Sequence, residues 1–278
     1  MNSKFKEIKN KLDEIDALPG KMYVYKNDQY VSRAIRTYGE YCQAEIDAMK
    51  QFIDKDSLYI DVGVNIGYHS LSIHKVTGCS VVGFEPHPTH FAVAAENCKD
   101  LPIQLFNAGL SSRAKVIELT DIDLDVPGNY GETKQDEQGI IEAQVITLDS
   151  LNVPAIHGMK IDVEGFEYEV MKGSEKTIDK YRPVILYEAL NLDWTNAFDF
   201  LDHKGYSQYW LACFNTPTKD DTFIPKDKNV DAGFGQGGVS NIIAIPKEKP
   251  QIGNLIPVVQ DEPYIDCVTR IKSYIIAF

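Results

Sequence analysis

The chain has 278 residues, 44% of them hydrophobic and 25% charged, values of a globular protein large enough for one elaborated α/β domain or two small ones. Its 28 Lys and Arg stand against 41 Asp and Glu, a formal charge of −13. That balance, with no basic run, argues against nucleic acid as a partner, because phosphate neutralisation needs a basic face.

In chain order, Phe5, Ile8, Leu12 and Ile15 recur three or four residues apart. This is the spacing of one helix face and predicts a helix within residues 1–18, ended by Pro19 and Gly20. Met22 to Tyr25 and Tyr30 to Val31 flank a turn-like Lys26-Asn-Asp28, which predicts a hairpin. Glu45 to Ile53 reads as helical, so residues 1–56 form an expected helical and hairpin cap. From Leu58 onward strands are predicted at 58–62, 80–84, 103–106, 157–161 and 183–188, with helices at 68–76, 88–98 and 166–180 between them. Such alternation implies an α/β fold with a mostly parallel sheet and helices on both faces. A helix from Trp194 to Lys204 and strands near 206–213 and 241–245 bring the sheet to seven strands. Residues 113–119 and 141–148 read as extended, with a polar surface loop, 121–139, between them. A second loop, 215–238, carries Gly233, Gly235, Gly237 and Gly238. The main domain is thus expected over 57–250, with 251–278 a tail that packs on it or on a partner.

The most informative segment is Leu58-Tyr-Ile-Asp-Val-Gly-Val-Asn-Ile-Gly67. A strand breaks into a turn with Gly63, Asn65 and Gly67, and a helix follows, the arrangement that brings backbone N–H groups against a ligand. The spacing D-x-G-x-N-x-G is not the dinucleotide fingerprint G-x-G-x-x-G. Asp61 at the turn would repel a phosphate and attract a cation. S-adenosylmethionine offers an ammonium, a sulfonium and a ribose diol without phosphate. Glu85 closes the next strand 22 residues after Gly63, where a carboxylate can accept both hydroxyls of an adenosine ribose. Pro86 stiffens the turn beyond it, and Pro86 or His87 is placed to cover an adenine face. Asn107 and Ala108 follow the third strand, where a side-chain amide or backbone group can read a base edge.

A further carboxylate group lies in Met159-Lys-Ile-Asp-Val-Glu-Gly165, where Asp162 and Glu164 precede a glycine turn and a helix. Glu188 ends the following strand. Unpaired charge is costly in a core, and strand C-terminal ends are where open α/β sheets bind ligands. Asp162, Glu164 and Glu188 are therefore expected at a site, as base, acceptor-positioning and orienting groups, with Asp162 also near the cofactor. His69 is the histidine alternative for the base. A ring of carboxylates suits a cationic cofactor and a polyol acceptor; Mg²⁺ would also suit it, but no metal site is predicted.

Asp61-Val-Gly-Val-Asn-Ile-Gly67 resembles motif I of the class I S-adenosylmethionine-dependent methyltransferases, and with Lys160-Ile-Asp-Val-Glu-Gly165 it is most similar to the FkbM family. The resemblance runs from about Tyr38 to Pro246. It implies a Rossmann-like class I methyltransferase fold and O-methylation of hydroxyls on sugars, glycans or polyketides. It also implies a small-molecule or glycan acceptor. A nicotinamide-dependent sugar oxidoreductase and a non-catalytic glycan-binding module remain the alternative readings. Tyr38, Tyr41, Tyr130, Trp210 and Phe234 are candidate sugar-stacking rings. Scattered Cys42, Cys79, Cys98, Cys213 and Cys267, a polar N-terminus and no apolar run of roughly 20 residues suggest a cytoplasmic protein without a membrane span.

Overall fold

The computed structural model describes residues 3–133, 135–136, 138–189, 194–213, 239–253 and 255–258. Helix α1 (Ser3–Ile8) leads through a short 3₁₀ turn into strand β1 (Leu12–Ala17), which pairs antiparallel with β2 (Gly20–Tyr25). The predicted helix over residues 1–18 therefore stops at Ile8. The alternating apolar run Met22, Val24 needs a strand partner, and Leu18-Pro19 with Gly20 at φ +134° provides the tight turn that makes residues 12–17 that partner. The expected hairpin between 22–25 and 30–31 is also absent, because Val31 opens α2 (Val31–Tyr38). Asp28 accepts hydrogen bonds from the Tyr30 and Ser32 backbone N–H groups, so Lys26-Asn-Asp28 starts a helix rather than turning a hairpin. Helix α3 (Gln43–Met49) follows.

The alternation predicted from Leu58 onward is observed. Strand β3 (Leu58–Val62), helix α4 (Tyr68–Thr77), strand β4 (Ser80–Phe84), helix α5 (Pro88–Asn97) and strand β5 (Ile103–Phe106) come first. Strands β6 (Gly109–Leu110), β7 (Lys115–Leu119) and β8 (Ile141–Ile146) make a separate three-stranded sheet. The main sheet resumes with β9 (Gly158–Ile161), followed by α6 (Glu167–Lys172), α7 (Glu175–Tyr181), β10 (Val184–Glu188), α8 (Trp194–His203), β11 (Tyr206–Cys213), β12 (Val239–Pro246) and the two-residue β13 (Ile256–Pro257). One helix was predicted over 166–180; the chain breaks it at Gly173, where a Cβ would stand 2.0 Å from the Ser111 carbonyl oxygen. The 215–238 loop lies outside the described residues.

The main sheet runs β13-β11-β12-β10-β9-β3-β4-β5. The contacts from β5 to β10 are parallel, and β12 is antiparallel to both neighbours. This is the expected mostly parallel seven-stranded sheet, with β13 added at one edge. Its two faces bury different clusters. Ile60, Met159, Ile161, Ile185 and Tyr187 face Val170, Met171, Ile178 and Leu201 of α6, α7 and α8. Tyr59, Val184, Leu186 and Ile243 face Ile46, Met49 and Ile73 of α3 and α4. The second face turns polar at its C-terminal end, where period-two alternation places Asp61, Lys160 and Glu188 in line with Tyr59, Gly158 and Leu186. Helix α5 is covered by α1 and β2, so the first 25 residues complete a hydrophobic core rather than standing apart.

Gly63 has φ +85°, and a Cβ there would sit 1.9 Å from the Asp162 backbone oxygen. Two strand ends close on each other at this point, and backbone cannot move aside as a side chain could. Gly63→Ala should therefore cost more than about 1 kcal/mol, a fall of at least roughly 2–4 °C in melting temperature. Differential scanning calorimetry checks this; an unchanged melting temperature would show that the strand ends are free to part.

Candidate functional site

A cavity of about 390 Å³ opens over the C-terminal ends of β3, β4, β9 and β10, where open α/β sheets bind ligands. The small sheet contributes Lys115, Ile117, Leu119 and Val145 to its wall, and the segment 129–135 contributes Asn129, Gly131, Glu132, Thr133 and Gln135. Residues 121–139 are thus not a plain surface loop. Tyr130 is buried, its carbonyl pairs with His90 Nε2 at 2.8 Å, and Gly128 bridges Asp28.

The glycine turn is built by its own backbone. The Gly63 and Val64 N–H groups donate to the Phe84 carbonyl at 3.0 and 3.2 Å, and Asn65 takes a left-handed φ of +53°. This aims the Asn65 N–H at Glu85 Oε2, 2.8 Å away, while the His87 N–H donates to Oε1 at 2.9 Å. Both carboxylate oxygens are held by backbone N–H groups at the cavity wall. Burial pushes the Glu85 carboxyl up to about 7 against the two N–H bonds that lower it. Gly63, Asn65, Glu85 and Pro86 line the cavity as expected.

Five expected cofactor contacts fall elsewhere. Asp61 is fully buried behind the wall, where Oδ2 accepts from Ser70 Oγ at 2.5 Å. Its place is the cross-strand position opposite Lys160 in the β3–β9 register. Gly67 packs against Ala94 and Cys98 at φ +90°, so it is a turn-and-packing residue. The Asn107 amide donates to the Glu85 and Pro86 carbonyls at 2.9 and 3.0 Å, holding the turn from outside. Ala108 does not reach the cavity; Gly109, Leu110 and Ser111 do. His87 is completely buried away from the cavity and cannot stack on a base there.

The acidic end centres on a residue to which the sequence reading gave no role. Lys160 side chain is 8% exposed and donates to Asp162 Oδ2 at 2.8 Å. Burial alone would lower its pKa, but Asp162, Asp61 and Glu45 outweigh burial and hold it well above the usual lysine value. Asp162 is 40% exposed at the cavity wall, and Glu164 sits at a left-handed φ of +54°. Behind that turn, Glu167 accepts from the Val163 and Gly165 N–H groups at 3.2 Å each. Glu188 is only 8% exposed, and its Oε2 has no hydrogen-bond partner. Burial, with Asp162, Glu164 and Glu167 nearby, pushes its carboxyl up to about 10. Asp162, Glu164 and Glu188 all line the cavity, so the structure does bring these three together.

Glu45 of α3 is the second residue that sequence reasoning missed. It accepts from Asn241 Nδ2 at 2.5 Å and stands 3.4 Å from His69 Nδ1. His69 lines the cavity, yet its Nε2 is engaged by the Tyr59 hydroxyl at 2.9 Å and its ring stacks on Tyr59. With both nitrogens engaged, His69 is poorly placed to act as the base. Of the candidate rings among the described residues only Tyr41 reaches the cavity; Tyr38 and Tyr130 are buried, Trp210 packs on Trp194, and Phe234 lies outside the described residues. Among the described residues no three His, Cys, Asp or Glu side chains are grouped as metal ligands, and no helix is long and apolar enough to cross a membrane.

The family model described as the methyltransferase FkbM domain matches residues 61–207. The chain is 31% identical over 139 residues to the hexuronic acid methyltransferase AglP of Haloferax volcanii, a match covering 48% of this chain and 56% of that protein. It therefore spans about half the length of this curated relative. An FkbM methyltransferase structure from Methylobacillus flagellatus KT is similar at a TM-score of 0.47 and 13% identity, covering 87% of this chain and 58% of that one. The tRNA (uracil-54, C5)-methyltransferase of Pyrococcus abyssi gives 0.45 and 11%, covering 84% and 44%.

The Glu188 environment has a measurable consequence. A carboxyl raised from 4.5 to about 10 in the fold stabilises the folded state fully below the unfolded value and loses that contribution as pH rises towards the folded value. Between about pH 7.5 and 8.5 His87 and His90, whose values burial lowers, are largely neutral in both states and contribute little. The melting temperature of ligand-free protein should fall across that interval, and should fall less in Glu188→Gln. Parallel curves for the two proteins in a pH series of thermal melts would show that Glu188 is ionised and solvated.

Proposed function

This chain belongs to the FkbM methyltransferase domain family, and we propose that it transfers a methyl group from S-adenosylmethionine to a hydroxyl of a sugar, glycan or other polyhydroxylated molecule. The observation that carries this reading is Glu85, a carboxylate locked by two backbone N–H groups at a strand end beside the Gly63–Asn65 turn. Such a group matches a ribose cis diol in bidentate fashion. The residues fit the cofactor: the cavity volume is that of a small-molecule site, and the donor set beside the glycine turn is a carboxylate with both oxygens fixed by backbone, as a ribose diol needs.

In this reading Gly63, Asn65, Glu85 and Pro86 hold the nucleoside, with Gly109 to Ser111 beside the base. When bound, the cofactor supplies an electrophilic methyl group on a sulfonium leaving group. The protein's own work is orientation and exclusion of water, worth on the order of 7–11 kcal/mol when reacting atoms are held near contact. Asp162 and Glu164 position the acceptor hydroxyl and take its proton. The Asp162 oxygen not bonded to Lys160 is available for this. Glu188 orients the acceptor from the neighbouring strand. The similarity to a hexuronic acid methyltransferase supports a sugar acceptor, and the acidic wall supports a non-nucleic-acid one. The catalytic unit is residues 57–250, completed by Glu45 from the preceding cap and followed by the 251–278 tail. Buried free Cys42, Cys79 and Cys98 support a reducing, cytoplasmic setting.

Isothermal titration with S-adenosylmethionine and S-adenosylhomocysteine tests the reading. Wild-type protein should bind both, and Glu85→Ala should bind at least about tenfold more weakly, the equivalent of roughly 1.4 kcal/mol. Absence of heat with wild type, or tight binding of a nicotinamide dinucleotide instead, would contradict it.

A further inference from the structure

Resting on the methyl-transfer reading, the charge around the cavity narrows the acceptor. Its described lining holds six acids, Glu45, Glu85, Glu132, Asp162, Glu164 and Glu188, against Lys115 and Lys160. Lys160 is committed to Asp162, and Lys115 belongs to β7 of the small sheet, not to the strands β9 and β10 that lead into Asp162 and Glu188. The acidic excess alone would identify nothing. The second observation is Glu188, more than nine-tenths buried, on the cavity wall, with Oε2 unpartnered.

Sheet order separates this oxygen from the nucleoside end. Glu85 ends β4 and Glu188 ends β10, with β3 and β9 between them, so the two carboxylates lie three strand spacings apart, about 14 Å. A ribose held at Glu85 leaves the Glu188 end to the acceptor. A uronate there would add a further negative charge beside Asp162 and Glu164, with no uncommitted cation among the described residues at that end. An N–H donor with positive charge answers both features: it satisfies the orphaned oxygen and offsets the like charges around it.

We propose that the acceptor is an amine-bearing sugar or polyol, whose ammonium docks on Glu188 while a neighbouring hydroxyl faces Asp162 and Glu164. The ammonium also favours the ionised form of Glu188, which burial and the neighbouring acids push towards neutrality. Acceptor choice in this chain would then be opposite in charge to that of a hexuronic acid methyltransferase.

The test uses the full chain, tritiated S-adenosylmethionine and four matched methyl glycosides in gluco and galacto configuration: 2-amino, 2-acetamido, unmodified and uronate. The amine member should exceed the acetamido and uronate members in kcat/KM by about tenfold or more, the discrimination typical of one charged contact. Glu188→Gln, shown to be folded by circular dichroism, should bring the amine and unmodified members within about threefold of each other. If that variant does not fold, the wild-type order of acceptors decides. A uronate or acetamide used as well as the amine, an amine preference unchanged in the variant, or no methylation of any member while S-adenosylhomocysteine still binds would each overturn the proposal. Failure to bind S-adenosylhomocysteine would overturn the methyl-transfer reading as well.

Discussion

The cavity depends on one buried cation. Lys160 lies in a strand whose other residues, Gly158, Met159 and Ile161, are all buried. Its register partner on β3 is Asp61, and its i+2 neighbour on the same face is Asp162. An unpaired ammonium in this position would be strongly disfavoured, and so would the unpaired carboxylates. Together they are tolerable, and Lys160 acts on every member of the group. It lowers the pKa of Glu85 and of Glu188 while its own is held up by Asp162, Asp61 and Glu45. Two strand ends that carry acids can thus approach closely enough for Gly63 to touch the Asp162 backbone.

Around that centre the two ends of the cavity differ in how their carboxylates are satisfied. Glu85 is fixed by main-chain donors, which makes it a rigid acceptor pair. Glu188 is left with an open oxygen among other acids, which makes it dependent on what enters the cavity. The N-terminal region is part of this arrangement. Through Glu45 it reaches His69 on α4 and Asn241 on β12, and through Asp28 and Tyr25 it meets the 121–133 segment that walls the cavity.

The strand–turn–helix order, the parallel sheet and the acidic strand ends were legible in the sequence because each is written in local residues: alternation, glycine turns, and charges placed just after apolar runs. Glu85, Asp162, Glu164 and Glu188 were found this way. What was not legible depends on sheet order and on packing at long range. Asp61 looked like a cofactor contact because nothing local shows that Lys160, 99 positions later, pairs opposite it. The only signal for Lys160 was a charge inside an apolar strand motif. Glu45 had none, since its partners lie on α4 and β12. In the N-terminal segment a helical spacing of Phe5, Ile8 and Leu12 concealed a strand, because the same three side chains fill one cluster in either geometry.

Replacing Lys160 by Met keeps an unbranched apolar stem, one atom shorter, and removes the ammonium with its hydrogen bond to Asp162. If Lys160 holds the acidic edge together, urea unfolding of Lys160→Met should show a loss towards the lower end of roughly 3–5 kcal/mol, because Asp162 is partly exposed and can recover some hydration. The variant should also lose stability more steeply than wild type as pH rises above about 7, because without Lys160 the Glu85 carboxyl is pushed higher still. A stability equal to wild type with an unchanged pH dependence would contradict the account and place the organising interaction elsewhere in the fold.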